Sequence, residues 1–290
     1  MHGGHGFIWA SREVALRFRH PGCKCAVVAD FDTGNPKLKG YEPEKNAELY
    51  NECEKAVRTD AEAKWAAMTD EERAEHKGGF GSYLRNRAVE ERNVRIDRER
   101  RIGRRIEGAE VLHRDFCPKS IAEVRAQRAQ YDAELKRQWN EYTKRGKTAE
   151  AYAETVGSYV EGLVSSGRLR VEPFVDLKLD KGKEVQLAKW LADAGHEVLL
   201  RSTMSSSDTN DALIDAVVWE FKRIESSNPR KITQRIMEKV PRQGPRFVVD
   251  LSESGVCKSD AQRKVAELLD RRGVTQIMLV HEGSLTLFTK

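Results

Sequence analysis

The spacing of apolar residues along the chain changes twice and divides the chain into three segments. Residues 1–40 carry turn signals in "HPGCKC" and "DTGNPKLKG" and one short β-like run, Cys25 to Ala29. Residues 41–165 carry apolar residues at helical spacing in stretches rich in Ala, Glu, Lys and Arg, which predicts a mainly α-helical region. From about residue 168, short β-runs alternate with helical stretches, which predicts an α/β domain of about 120 residues.

Helices and strands are predicted to alternate through the third segment. Gly195 and Gly273 directly follow two of its helices, where a left-handed cap is expected. In the second segment, Thr69 to Glu72 and Ser120 to Glu123 fit capping boxes at helix N-termini. The elements predicted after residue 182 are a helix from Lys183 to Ala194, a strand from His196 to Arg201, one or two strands within 210–224, a helix from Pro229 to Val240, a strand from Arg246 to Leu251, a helix from Ser259 to Arg272, and strands from Gln276 to His281 and from Leu285 to Phe288.

Composition is that of a soluble, strongly charged globular protein, with 33% charged and 39% hydrophobic residues in a chain of 290 residues that has room for two domains. The formal charge of +5 permits contact with nucleic acid without requiring it. No long apolar run and no basic-then-apolar leader occurs, so the chain is expected neither to span a membrane nor to direct its own secretion. The five cysteines are odd in number and sparse, which favours reduced thiols and a reducing compartment.

Acids and a lysine lie inside apolar, β-forming sequence in "NDALIDAVVWEFKRI", residues 210–224. Burying such groups is costly unless they are paired or bind a metal. In an extended strand, Glu220 and Lys222 share one face. A tight hairpin would bring Glu220 together with Asp211 or Asp215 of the preceding strand, and the sequence leaves open which of the two aspartates it is.

Two carboxylates beside a lysine are the outline of a site for Mg²⁺ or Mn²⁺, which prefer hard oxygen ligands. In such a site Lys222 would steady a scissile phosphate or the water that attacks it. Glu184, in the first turn of the predicted helix "KGKEVQLAKWL", adds a third acid, and Gln243 is a candidate for orienting water. The alternative is a solvent-exposed strand face on which Glu220 and Lys222 form an ordinary ion pair.

The order of a helix with Glu, a strand, a strand with Asp, a strand with Glu-x-Lys ("WEFK"), a helix and a strand resembles the PD-(D/E)XK nuclease superfamily. It is most similar to the C-terminal toxin domains of bacterial contact-dependent growth-inhibition proteins, several of which cut tRNA. The resemblance implies a restriction-endonuclease-like α+β fold for residues 168–290, a mixed sheet flanked by helices, and metal-dependent hydrolysis of phosphodiester bonds. It makes Glu184 the helix acid, Asp211 the strand acid, Glu220 the (D/E) and Lys222 the lysine. Asn210 stands where proline is usual.

Basic residues flank this stretch and would attract phosphates: Arg201, Arg223, Arg230, Lys231 and Arg235. RNA, and tRNA in particular, is favoured over DNA only because the resemblance points there, since the same kind of site hydrolyses either backbone. A nuclease made inside a cell that shares its substrate must be neutralised or exported. Because the chain has no signal peptide, we expect a small cognate immunity protein with an acidic surface.

The first segment carries a second resemblance. "RFRHPGCKCAVVADFD", followed by "KGGFGSYLRNRAVEER", is similar to the end of phage head-morphogenesis (minor capsid) proteins. This implies capsid or portal partners and a cytoplasmic or virion-associated protein that acts in the bacterial cytoplasm. His20, Cys23 and Cys25 would bind Zn²⁺, or alternatively form a small β-turn with buried thiols. A non-enzymatic phage-head or nucleic-acid-binding protein is therefore the competing function class.

Overall fold

The computed structural model describes residues 43–164, 167–172, 181–201 and 210–290. Contacts divide the chain into two compact units, Met1–Arg100 and Arg101–Lys290. The predicted zinc ligands His20, Cys23 and Cys25 lie outside the described residues. Within the described ranges, no helix is long and apolar enough to cross a membrane.

The first unit is helical in its described part, as its apolar spacing predicts. It contains α1 (Pro43–Ala67), α2 (Asp70–Glu75) and most of α3 (Gly79–Glu107). Thr69 caps α2, because its hydroxyl accepts the Glu72 N–H at 3.2 Å and the Glu72 carboxylate accepts the Thr69 N–H at 2.8 Å. This completes the predicted capping box. Buried Tyr83 and the partly buried Trp65 pack in a small core between these helices.

The second unit is an α+β fold built on an eight-stranded mixed sheet. Its strands are β1 (Glu110–His113), β2 (Leu169–Val171), β3 (Val198–Leu200), β4 (Ala212–Ile214), β5 (Val217–Arg223), β6 (Arg246–Asp250), β7 (Gln276–His281) and β8 (Ser284–Thr289). Its later helices are α4 (Ile121–Lys144), α5 (Ala149–Tyr152), α6 (Ser158–Gly162), α7 (Lys181–Asp193), α8 (Arg230–Met237), α9 (Val240–Gln243) and α10 (Lys258–Leu268), with a π-helical stretch at Ala153–Gly157. The strand order is β1-β8-β7-β6-β5-β4-β3-β2. β5, β6 and β7 run parallel, whereas β3, β4 and β5 form antiparallel pairs.

The sheet is strongly curled. β1 lies at one edge and β3 next to the other edge in the strand order. Nevertheless, the ring centroids of His113 on β1 and of His196, which precedes β3, are only 5.6 Å apart. Twist accumulates from strand to strand across a wide sheet, and here it brings the start of β3 back towards β1.

The two faces of the sheet support separate hydrophobic cores. On one face, Trp219 and Phe221 of β5 pack with α4 and α7. On the other face, Phe247 of β6 packs with α8 and α10. Successive residues of a strand point to opposite faces, and Glu220 lies beside Phe247 in the β5–β6 ladder. Glu220 and Lys222 therefore point to the face that α8 and α10 cover.

The predicted domain boundary near residue 168 lies inside the second unit. Residues 110–113, which the sequence assigns to the helical region, form β1 instead and pair with β8. In addition, α4 contributes buried Val124 and Leu135 to the same core as Leu169 of β2. A four-residue strand between two long helices has too few positions to show its own periodicity. The α+β fold thus begins near Arg101.

Candidate functional site

A short hairpin forms the candidate site. β4 and β5 pair antiparallel, with Ala212 opposite Trp219. The two residues of the connecting turn both have positive φ, 50° and 64°, which matches the twist of a two-residue hairpin. The next opposed pair beyond Ala212 and Trp219 is Asp211 and Glu220. Side chains directly opposed in a ladder lie close together, so the hairpin sets these two carboxyl groups side by side.

Lys222 links the two carboxyl groups. Its Nζ contacts Glu220 Oε1 and lies 3.9 Å from Asp211 Oδ2. Asp211 Oδ2 also accepts a hydrogen bond of 2.7 Å from the backbone N–H of Phe221, which holds this carboxylate against β5. Asp211, Glu220 and Lys222 therefore meet on one face of the sheet.

Glu220 is fully buried, with 0% of its side chain exposed. Burial raises the pKa of Glu220 to about 8, and the charge of Asp211 adds to the rise while Lys222 opposes it. Among the described residues, none offers a hydrogen bond to Glu220 Oε2. The alternative interpretation, a solvent-exposed ion pair, is therefore wrong for Glu220, because a surface pair would keep its carboxylate in water.

Asp215 lies at the other end of the hairpin, in the turn. Its Oδ1 accepts the Glu197 N–H at 2.9 Å, and its Oδ2 lies 2.7 Å from His196 Nδ1. Burial raises the pKa of Asp215, but the hydrogen bonds from His196 and Glu197 outweigh it and lower the pKa overall. Asp211, not Asp215, lies beside Glu220. The prediction of Asp215 as a metal ligand at this site is wrong, because the turn places it a full strand length away.

Arg223, predicted to contact nucleic acid, is a core residue instead. Its side chain is 5% exposed and, one position after Lys222 on β5, points to the opposite face of the sheet. It donates to Asp250 Oδ2 at 2.6 Å, to Gln186 Oε1 at 2.9 Å and to Glu253 Oε1 at 3.1 Å. These buried partners contradict the prediction that Arg223 forms part of a substrate-binding rim.

Glu253 is the centre of a buried ionic network beneath the site. Arg128 donates to its Oε1 at 2.6 Å, and Arg125 donates to its Oε2 at 3.2 Å. Both arginines lie on α4, so the network joins this helix to the carboxyl ends of β5 and β6. The sequence gives no signal for it, because Arg125 and Glu253 are 128 residues apart.

Glu184 lies in the first turn of α7 and is partly buried. α7 packs on the sheet face opposite to Glu220. The neighbouring Lys183 pairs with Glu225 at 2.6 Å, just beyond the end of β5, so the first turn of α7 lies near the carboxyl end of this strand. The role of Glu184 as the helix acid of the site stays a prediction.

Gln243 ends α9 and is tied to the acid pair through Asn210. The side-chain amide of Asn210 donates to the backbone carbonyl of Gln243, and Asn210 directly precedes Asp211. Gln243 Oε1 is buried and has no hydrogen-bond partner among the described residues. The sequence shows Asn210 only as a departure from proline, because the residue that it binds follows 33 positions later.

The other predicted nucleic-acid contacts lie on the same side of the sheet as the acid pair. Arg230 and Arg235 on α8 are exposed and Lys231 is partly exposed, while the apolar side of α8 packs in the second core. Arg201 follows β3, and its backbone N–H donates to the Asp211 carbonyl at 3.0 Å. It is therefore the neighbour of Asp211 on the side away from Glu220. That these four residues bind nucleic acid stays a prediction.

The acid pair fits a hard divalent cation. Among the residues described, no group of three or more His, Cys, Asp or Glu side chains is arranged to hold a metal ion. Mg²⁺, however, commonly takes only one or two protein carboxylates and keeps water and substrate oxygens as its other ligands. Glu220 Oε2, buried without a hydrogen-bond partner, and the adjacent Asp211 carboxylate are the groups that would hold it. A cation there would offset the cost of burying two acids together.

Part of the chain is similar to a known family. Residues 208–285 match the family described as the contact-dependent growth inhibition CdiA C-terminal domain. Among curated proteins, no sequence matches the chain. A chain of the CdiA-CT/CdiI toxin and immunity complex from Burkholderia pseudomallei is 21% identical, with a TM-score of 0.37, over 42% of this chain and 98% of that one. The matched range 208–285 contains Asp211, Glu220, Lys222 and Gln243, so the candidate site lies within the part of the chain that is similar to this family.

Proposed function

We propose that the second unit is a metal-dependent nuclease toxin that hydrolyses phosphodiester bonds, with RNA, and tRNA in particular, as its favoured substrate. The observation that supports this most directly is the buried acid pair: Glu220, without exposure to solvent, lies beside Asp211 and in contact with Lys222. A buried acid with a strongly raised pKa, beside a lysine, is typical of active sites. The similarity of residues 208–285 to a growth-inhibition domain supports a toxic activity.

Asp211 and Glu220 would hold Mg²⁺ or Mn²⁺. When bound, such a cation supplies charge stabilisation at phosphorus and a more acidic water. Lys222 carries a compact positive charge with three donors, and it is held next to both acids, where a phosphate oxygen would approach. In this position it would stabilise the negative charge that develops during hydrolysis.

Gln243 would orient the attacking water. Its backbone carbonyl accepts a hydrogen bond from Asn210, which directly precedes Asp211, and its side chain has a buried oxygen that no described residue satisfies. Such an oxygen can accept a hydrogen bond from water and so direct the lone pair of that water. Glu184, at the start of α7, is the proposed third acid.

Electrostatics supports an anionic substrate on this face. Arg230, Lys231 and Arg235 of α8 would contact phosphates at a distance from the reacting bond, and Arg201 would contact one next to Asp211. In the bacterial cytoplasm the same charges would attract a cognate immunity protein with an acidic surface. Phage capsid or portal components, proposed as partners of residues 1–40, would bind outside this unit.

The activity is tested with the full chain, total tRNA and plasmid DNA, each in Mg²⁺, in Mn²⁺ and in EDTA. We expect cleavage of tRNA with either cation and none in EDTA. Cleavage of plasmid with intact tRNA would reverse the substrate preference. If a folded protein cleaves neither substrate with either cation, the nuclease proposal is wrong and the non-enzymatic binding protein becomes the better interpretation.

The partner is tested by expressing each small reading frame that flanks the gene together with the toxin. We expect one acidic product to restore growth and to bind residues 101–290. If growth is restored without binding to this unit, or if no product restores it while the nuclease is active, the immunity-protein proposal fails.

A further inference from the structure

Strands β2 to β4 and the first part of β5 bury one face in the first core and leave the other face partly exposed. Along the ladders, the side chains facing the first core are Leu169, Val198, Leu200, Ala212, Ile214 and Trp219, all of them buried. The residues between them in each strand point the other way. This second, outer face is the one that carries Asp211 and Glu220.

One row of the outer face is aliphatic. The register places Arg170 of β2 opposite Leu199 of β3, Leu199 opposite Leu213 of β4, and Leu213 opposite Val218 of β5. Leu199 and Leu213 are partly exposed, and Val218 is 36% exposed. None of the three belongs to a core formed by the described residues. Exposed Arg170 ends the row with a positive charge.

The neighbouring row holds the candidate active site. Arg201, Asp211 and Glu220 are each two residues from a member of the aliphatic row and lie side by side in the next row. The hydrogen bond from the Arg201 N–H to the Asp211 carbonyl joins the first two of them. Two residues along a strand span about 6.6 Å. The aliphatic row therefore begins at a distance from the acid pair that is no longer than one nucleotide. Arg170 provides a positive charge at the far end of the row.

We propose that this aliphatic row is a subsite for an unpaired nucleotide next to the scissile phosphate. The inference rests on the proposed nuclease function and adds the substrate class: single-stranded or looped nucleic acid in preference to a continuous duplex. Arg170 contacts the phosphate beyond that nucleotide, and Arg201 contacts the phosphate nearest the acid pair.

The shape of the face favours an unpaired nucleotide. A base inside a duplex presents only its edges, in a groove, and its ring faces are covered by stacking. An unpaired nucleotide can be splayed out, so that its base and sugar lie against a flat apolar surface while its phosphates reach cations. Leu199, Leu213 and Val218 form such a surface, with Arg170 beside Leu199 at the end of the row and Arg201 in the neighbouring row.

Binding is measured with the Glu220→Gln variant of the full chain, so that the probe stays intact. The probes are a short fluorescent single-stranded RNA and the same sequence annealed to its complement. We expect the single strand to bind more tightly than the duplex by about tenfold. Leu213→Ser and Val218→Ser, each added to Glu220→Gln, should weaken single-strand binding by about tenfold and leave duplex binding unchanged.

Val111→Ser is the matched control, because Val111 is a valine 50% exposed on the edge strand β1. It should leave both affinities unchanged. Equal affinity for single strand and duplex, or single-strand binding that Leu213→Ser and Val218→Ser do not weaken, overturns the proposal. If the same two substitutions in the otherwise wild-type chain instead abolish only rescue by an immunity protein, the row is a protein-docking surface and the nucleotide subsite is wrong. This experiment measures binding and not cleavage, so a failure of the nucleotide-subsite proposal can be distinguished from a failure of the nuclease proposal.

Discussion

Asp211 lies opposite Glu220 in the β4–β5 ladder, one pair beyond Ala212 and Trp219, whereas Asp215 lies in the turn at the other end of the hairpin. We therefore expect Asp211→Asn to abolish metal-dependent cleavage. Loss of residues that only support a metal ligand already costs about 10–100-fold, and loss of a ligand should cost more. Asp215→Asn should keep the cleavage rate roughly unchanged and destabilise only the turn. Single-turnover cleavage of tRNA distinguishes the two, and loss of activity in Asp215→Asn alone would contradict the assignment.

The pKa of Glu220 predicts how stability depends on pH. The folded state raises this pKa to about 8 from an ordinary value of 4.5, mainly through burial. The folded chain therefore binds this proton more tightly than the unfolded chain does. Its contribution to stability is full below about pH 4.5 and is lost as the pH rises through about 8.

We expect urea denaturation in EDTA to show this loss in the wild type but not in Glu220→Gln. The free energy of unfolding of the variant relative to the wild type should rise with pH over this window, by a few kcal/mol at about 1.4 kcal/mol per pKa unit. Glu238→Gln, an exposed acid directly after α8, is the control and should follow the wild type. If Glu220→Gln and the wild type lose stability in parallel, Glu220 does not titrate as its burial implies.

Two arginines predicted for the same role should behave differently. Arg223→Ala removes the arginine that pairs with buried Asp250 at 2.6 Å and one of the three arginines described around Glu253, so we expect a loss of roughly 3–5 kcal/mol in the free energy of unfolding. Arg235 is 63% exposed and, within the described ranges, pairs only with Glu238 at 3.8 Å. Arg235→Ala should change stability by less than about 0.5 kcal/mol. It should instead weaken RNA binding and lower the slope of log affinity against log salt by about one. Equal stability of the two variants would contradict the buried network.

The extent of the second unit predicts which fragment folds. A fragment from residue 168 lacks β1 and α4 to α6, and with them buried core residues such as Val124, Leu135 and Tyr152. It also leaves Glu253 without Arg125 and Arg128. We expect residues 101–290 to unfold cooperatively in urea, as in the full chain, and residues 168–290 to give no cooperative transition. A cooperative transition of the shorter fragment at the same urea concentration would place the boundary at 168 after all.

Local pattern accounts for the parts of the fold that could be predicted. Strand Gln276–His281 has the predicted bounds, and the predicted helix from Lys183 to Ala194 is present as Lys181–Asp193. Gly195, which follows α7, has φ of 104°, as the predicted helix cap requires, whereas α10 ends at Leu268 and Gly273, with φ of 91°, lies in the turn beyond it. That an aspartate of the preceding strand meets Glu220 also follows from local sequence, whereas the choice of Asp211 follows only from the turn at Asp215 and Ala216.

Long-range pairing accounts for what could not be predicted. In the sequence, Arg223 resembles the other basic residues that are predicted to bind nucleic acid near the site. Only its ion pairs with Asp250 and Glu253 show that it is a core residue. Likewise, β1 gains its strand conformation from pairing with β8, far along the chain. Such long-range contacts produce no periodic pattern in the local sequence, so they cannot be predicted from it.

The central claim is that Glu220 and Lys222 carry out hydrolysis, and single-turnover cleavage of labelled tRNA in Mg²⁺ tests it most directly. The matched controls are Glu267→Gln and Lys264→Ala, which alter a glutamate–lysine pair at 2.8 Å on α10, outside the site. We expect Glu220→Gln and Lys222→Ala each to lower the rate by at least about 100-fold, while both controls keep the wild-type rate. Wild-type cleavage by folded Glu220→Gln and Lys222→Ala would contradict the claim.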